Sequence, residues 1–314
     1  MKALYSIYQP LKDRVQAILP TKQQRLPVFD SDYDYTQSPF DWLHKFVFVI
    51  EKFLKANVPI KKYEIVYSSK YSTNQIHEKS LKNLKCLEEL LKKGVKSVNN
   101  PSYGFAPPSS KDYYKHDNFN VDFSNQFYGI KHFHLCSDDR TRDEILYYVT
   151  HENAIYFLSI GGHNDLYSQK NIEITVREFP NIAKKIGIEK LPDMPVNEPF
   201  EYSVAQMKSH WEKGLNSSFI IDGEYYTSGY IQTISKLNSD IIYLSNNVIY
   251  QFRNGVENFI STLGSEYKIV PLRYEDNSLV KDDIILVGDE ISKRAVEVKV
   301  SYLKRLGVVD HFIN

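Results

Sequence analysis

Ile145-Leu146-Tyr147-Tyr148-Val149-Thr150-His151-Glu152-Asn153-Ala154-Ile155-Tyr156-Phe157-Leu158-Ser159-Ile160 is the stretch that decides the fold. Two apolar runs rich in β-branched and aromatic residues flank the polar break His151-Glu152-Asn153, the pattern of two strands joined by a tight hairpin. A third apolar segment, Gln126 to Cys136, precedes them closely enough to be hairpin-linked as well. Upstream, Lys62 to Tyr67 alternates like a short strand, and Ile76 to Val95 places Leu81, Leu84, Leu87, Leu90 and Leu91 on one helical face. Gly94 and Asn99-Asn100-Pro101 close that helix. Helices followed by an antiparallel sheet make the middle of the chain α+β.

Outward from this core, residues 1–59 read as an arm punctuated by Pro10, Pro20, Pro27 and Pro39, then an amphipathic helix from Asp41 to Ala56. Residues 60–185 form the α+β unit. The Pro-bearing stretch Leu191 to Pro199 reads as a linker, so residues 186–314 are expected to form a second, acidic α/β or α+β domain. Its strand-like runs are Ser218 to Ile221, Ile241 to Leu244, Lys268 to Leu272, Asp283 to Val287 and Ala295 to Val300, with a helix at Val256 to Leu263.

The chain has 314 residues, 42% hydrophobic and 25% charged, which excludes collagen-like, disulfide-scaffold and broadly disordered classes. Two cysteines, Cys86 and Cys136, form no disulfide framework and no zinc-ribbon cluster. The N-terminus lacks the apolar core of a signal peptide, and the run Phe46 to Ile50 is far short of a membrane span, so a soluble cytoplasmic protein without a membrane partner is expected. Lys plus Arg equals Asp plus Glu at 39 each. The neutral total conceals a net +2 over residues 1–60, +2 over 61–170 and −4 over 171–314. Nine Lys crowd residues 61–99 against four Glu, either as a solvated helix face or as a stripe facing phosphates.

Histidines concentrate the candidate chemistry. His116 lies in Tyr114-Lys115-His116, His132 and His134 in Lys131-His132-Phe133-His134-Leu135, and His163 in Gly161-Gly162-His163-Asn164-Asp165-Leu166-Tyr167. His132 and His134 share one side of a strand. That is also the spacing of a metal-binding pair, but no carboxylate or Cys complement accompanies it.

With those motifs in view, residues from about 60 to 170 resemble the YafQ-like branch of the RelE/ParE toxin superfamily. Tyr114-Lys115-His116 resembles the family's Tyr-x-x-His. Phe133-His134-Leu135 with Asp138 resembles its Cys-His-Ile segment and downstream Asp, and Gly162-His163-Asn164-Asp165-Leu166-Tyr167 its closing motif. The resemblance implies RelE-like helices packed on an antiparallel sheet and metal-independent cleavage of mRNA on the ribosome, by attack of a ribose 2′-hydroxyl on the adjacent phosphate. No cofactor is then needed. His134 and His163 are the expected proton-transfer pair, with Asp138 orienting an imidazole and His116 in support, because histidine can serve either transfer near neutral pH. Lys131, Arg140 and Arg142 are candidate phosphate contacts, and Tyr147 or Tyr148 a stacking platform for a base. A growth-arresting toxin or a phage-defence protein is implied, restrained by an antitoxin or by its own acidic C-terminal domain.

Two alternatives stand beside this. Lys281-Asp282-Asp283 followed by Ala295-Val296-Glu297-Val298-Lys299 resembles the Asp…Glu-x-Lys signature of PD-(D/E)xK nucleases. Asp283 and Glu297 would share Mg²⁺, and Lys299 would position the attacking water. The other is a binding or regulatory protein that keeps a RelE-like fold without its chemistry.

Overall fold

The computed structural model describes residues 58–94, 123–136, 143–192, 202–213, 215, 217–229, 239–263, 266, 269–271, 280–281, 284–289 and 291–299. The chain divides into two compact units, one of residues 53–113 and 118–239, the other of 1–52, 114–117 and 240–314. The first unit extends past the boundary read at 185/186. His116 lies outside the described residues.

The first unit is built on a four-stranded sheet of β1 (Glu64–Tyr67), β2 (Lys131–His134), β3 (Ile145–His151) and β4 (Ala154–Gly161), in the order β1-β4-β3-β2. The hairpin expected from the opening stretch forms, with Ile145 opposite Gly161 and His151 opposite Ala154. The expected antiparallel sheet is in fact mixed, since β1 runs parallel to β4 with Glu64 opposite Ala154 and Tyr67 opposite Phe157. A parallel neighbour requires a long crossover, and helix α1 (Glu78–Lys93) lies in that connection.

Helix α1 follows the leucine spacing: Leu84, Leu87 and Leu91 are buried against Phe133, Leu146, Tyr148, Ile155 and Phe157 on one sheet face. Phe133 and Tyr148 stack with ring centroids 4.8 Å apart. Lys79, Lys82, Lys85, Lys92 and Lys93 are exposed, and Lys92 and Lys93 in the last turn complement the helix dipole. Gly94 ends the helix at φ +69°, donating its N–H to Leu90 O; a Cβ there would meet the Lys62 backbone nitrogen at 2.6 Å. At the other end, the Glu144 carboxylate accepts the His77 N–H at 2.6 Å and the Ser80 hydroxyl.

The segment Gln126 to Cys136, expected as one strand, is split. It contains the end of a short helix, α2 (Phe123–Tyr128), then Gly129 at φ +63°, then β2. The aromatic residues that suggested a strand, Phe127 and Tyr128, are buried on the second face of the sheet. That face also receives α3 (Lys170–Glu178), α4 (Pro180–Lys185) and α5 (Val204–Glu212). A small antiparallel sheet of β5 (Ile188–Lys190), β6 (Ser218–Ile221) and β7 (Glu224–Ser228), in the order β5-β7-β6, completes the layer. Ile145, Tyr147, Val149 and Leu158 share this core with Ile172, Ile188, Met207, Trp211, Phe219 and Ile221. Ile188, Met207, Trp211, Phe219 and Ile221 therefore share one core with the main sheet.

In the second unit, Ile241 to Leu244, expected as a strand, lies in α6 (Ser239–Ser261). A run of four apolar residues fits either element, and the buried positions Val248, Val256 and Phe259 further along decide for the helix. The remaining strands are β8 (Ile269–Pro271), β9 (Val280–Lys281), β10 (Ile284–Asp289) and β11 (Ala295–Lys299), all antiparallel, with β10 flanked by β11 and β8 and also pairing β9. A Cβ on Gly255 would collide with Val298, so this glycine sets how closely α6 lies on β11. The molecule is mixed α+β, and among the described residues no helix is long and apolar enough to cross a membrane.

Replacing Glu144 with Ala should destabilise the first unit by about 1.5–3 kcal/mol, the usual worth of hydrogen bonds to a charged group. A double-mutant cycle with Ser80→Ala, followed by denaturant unfolding, should show coupling; strict additivity would mean that the carboxylate does not hold the helix.

Candidate functional site

Strand alternation sorts the residues at one end of the main sheet. His132 and His134 stand on the same face of β2, opposite Tyr147 and Ile145 of β3, whereas Lys131 and Phe133 face the α1 side. β4 ends beside them and turns through Gly161-Gly162 into a 3₁₀ turn, His163–Tyr167. The result is a row of imidazoles, with ring centroids 5.1 Å apart between His132 and His134 and 5.1 Å between His134 and His163. His132 is buried, His134 is half-buried, and the His163 side chain is 54% exposed at the open end of the row.

Asp143, just before β3, closes the arrangement. One carboxylate oxygen accepts the His163 backbone N–H at 2.9 Å and the other is in close contact with His163 Nδ1. An ionised carboxylate only accepts, so beside it Nδ1 carries the proton, and Nε2 is left to take a proton or, once charged, to give one. The two glycines before His163 make room for this. A Cβ on Gly162 would meet Asp143 Oδ2 at 2.6 Å, and one on Gly161 would overlap the Asp165 carboxylate. Asp165 is itself 3.3 Å from Lys170 Nζ.

Burial, and after it the positive charges that His132 and His163 would carry, pushes the His134 pKa down to about 3. His134 is therefore a neutral proton acceptor across the physiological range. Burial, then His132, also lowers the pKa of His163 from its ordinary value. Among the described residues no group of three or more His, Cys, Asp or Glu side chains could hold a metal ion.

The structure thus brings together His134 and His163 of the expected set, and adds Asp143 and His132. Asp138, Arg140, Arg142 and Asp283 lie outside the described residues, as does His116. Lys131 stands on the opposite face from the imidazoles, which removes it as a phosphate contact at this row. Tyr147 and Tyr148 are fully buried, so neither offers a stacking surface to a base. The β3 ring positions are core positions because both faces of the sheet are covered. In the second unit Glu297 is exposed and pairs with Leu286, and Lys299 pairs with Ile284. Asp143 was accessible to sequence reasoning only through strand pairing: once Ile145 is set opposite Gly161, the residue before β3 falls beside the residues after β4.

No family model, no curated protein and no solved structure matches the chain.

Two outcomes follow from the geometry. The unfolded chain binds a proton at His134 near pH 6.5, whereas the folded chain resists until about pH 3. Stability should therefore be complete above pH 6.5 and fall by about 2 kcal/mol between pH 6.5 and 5, a slope that His134→Gln flattens. Urea unfolding at several pH values measures both. Gly162→Ala should displace Asp143 and abolish the downfield Nδ1 proton signal of His163 in NMR spectra.

Proposed function

We propose that the first unit is a metal-independent endoribonuclease, similar in chemistry to the YafQ-like RelE/ParE toxins. The observation that carries this reading is the imidazole row itself, a neutral His134 5.1 Å from a carboxylate-held His163 at an exposed sheet end. Cleavage of RNA by its own 2′-hydroxyl needs one group to take a proton and one to give a proton across a phosphate, and it needs no bound cofactor.

His134 is the base. It removes the 2′-hydroxyl proton, the 2′-oxygen forms a bond to phosphorus, and the bond from phosphorus to the 5′-oxygen breaks. His163 enters this step protonated, with Asp143 at its Nδ1 opposing the burial and the His132 neighbour that lower its proton affinity; it gives its Nε2 proton to that leaving oxygen, and the products are a 2′,3′-cyclic phosphate and a 5′-hydroxyl. Burial keeps His134 uncharged, the form a base needs, though with a weaker hold on the proton it takes, and disqualifies it as the acid. Asp143 offsets the imidazolium charge on His163, as a carboxylate does for any histidine that must carry a proton in turn. Arg140 and Arg142, placed by sequence between Cys136 and Asp143, are the proposed contacts to the phosphate oxygens. The natural substrate in this reading is mRNA on the ribosome. Growth arrest or phage defence is the corresponding role, with a separate antitoxin or the acidic C-terminal region as restraint.

Purified full-length chain, incubated with single-stranded RNA in EDTA and without ribosomes, should release fragments ending in 2′,3′-cyclic phosphate. His134→Ala and His163→Ala should each slow cleavage by about 10²–10⁴-fold, the usual share of a general acid or base. Cleavage indifferent to both substitutions would refute the assignment, as would inactivity on both free RNA and translating ribosomes.

A further inference from the structure

Tyr147 lies at the centre of the site, yet it cannot touch a substrate. It is fully buried, opposite His132 on β2 and Ser159 on β4, at the point where the β3–β4 register shifts. Its ring centroid is 6.3 Å from that of His132. Its hydroxyl donates to the carbonyl oxygen of Gly162 at 2.6 Å. Gly162 is the residue whose missing side chain admits Asp143, and its successor is His163. One side chain therefore lies against one end of the imidazole row and tethers the backbone at the other. Across the strand, Ser159 gives its hydroxyl to Asn171 Oδ1 at 2.7 Å, joining β4 to α3 directly behind the tether.

We propose that Tyr147 is a positioning residue for the acid–base pair, its hydroxyl holding the Gly162 carbonyl so that His163 keeps its hydrogen bonds to Asp143 and its distance from His134. The inference rests on the ribonuclease reading for its kinetic consequence, but the geometry it claims is measurable without any activity. The tether is needed because His163 sits on a half-exposed turn that follows two glycines, whose backbone freedom is greater than that of any other residue. A hydrogen bond from a buried ring removes that freedom at the residue adjoining the reactive imidazole. A misplacement of about 1 Å at a reacting group can cost on the order of 100-fold in rate, so the loss of one hydroxyl should be visible.

Tyr147→Phe keeps the ring and its packing and removes only the tether. In the full-length chain the expected results are a downfield His163 Nδ1 proton that broadens or exchanges faster, a shifted His163 titration, and a fall in kcat of about 10- to 100-fold with KM within twofold. Tyr148→Phe, which removes a hydroxyl from the opposite sheet face, should change none of these. Unaltered His163 signals and unaltered kcat in Tyr147→Phe would overturn the proposal. If the unsubstituted chain cleaves no RNA, the NMR readouts alone decide, so that failure of the ribonuclease reading is distinguished from failure of the tether. If Tyr147→Phe does not fold, the unsubstituted chain still provides the test. A slowly exchanging Tyr147 hydroxyl proton with a nuclear Overhauser effect to the His163 amide supports the tether, and absence of that contact refutes it.

Discussion

Asp143 and Glu144 are neighbours at the entry to β3, and because side chains alternate along a strand they point to opposite faces of the sheet. Glu144 holds the N-terminus of α1 through His77 and Ser80. Asp143 holds the turn after β4 through the backbone and ring of His163. One dipeptide thus fastens the helix that covers one face and the turn that carries the outermost imidazole on the other. The remainder of the site depends on this double anchorage. If β3 entered the sheet one residue out of register, the two carboxylates would exchange faces, and both the helix cap and the histidine contact would be lost.

The anchorage places the imidazoles in a gradient of solvent exposure. His132 is enclosed, His134 is half-buried and His163 opens to solvent. The gradient matters chemically because burial disfavours the charged ring, and it is burial first that drives His134 to about 3. His134 thereby becomes a ring that stays neutral, beside a more exposed His163 whose proton affinity burial also lowers. Two imidazoles in unequal surroundings are what one site needs to perform an acid and a base step at the same pH. The carboxylate is spent on the ring that must carry charge, not on the ring that must avoid it.

Much of this was legible in the sequence. The leucine spacing of α1 and the β3–β4 hairpin rest on local periodicity, and local patterns survive into the fold; the expectation that His134 and His163 act together rests on a resemblance of motifs, and their ring centroids lie 5.1 Å apart. What was not legible depends on contacts between distant segments. The parallel placement of β1 beside β4 comes from how the chain returns after α1. Phe127 and Tyr128 read as strand residues until Gly129 at φ +63° separates a helical turn from β2. Tyr147, which sequence suggests as a surface for bases, is buried because α2, α3 and the core residues Ile188, Met207, Trp211, Phe219 and Ile221 cover the face it occupies. The motif resemblance points to Asp138, and only the register of β3 against β4 brings Asp143 to His163. The glycines are a similar case: Gly161-Gly162 stands out as a motif, but its reason, room for two carboxylates, is a tertiary fact.

The central claim is that His134 takes a proton from a ribose 2′-hydroxyl. Its most direct measurement is cleavage, in EDTA, of an RNA oligonucleotide whose scission site has been mapped, compared with the same oligonucleotide carrying a single 2′-deoxy substitution at that nucleotide. The account predicts that cleavage at the mapped position disappears while cutting at other positions is unaffected. Continued cleavage at the deoxy position would show that the nucleophile is not the ribose, and would contradict the assignment of the imidazole row to this chemistry.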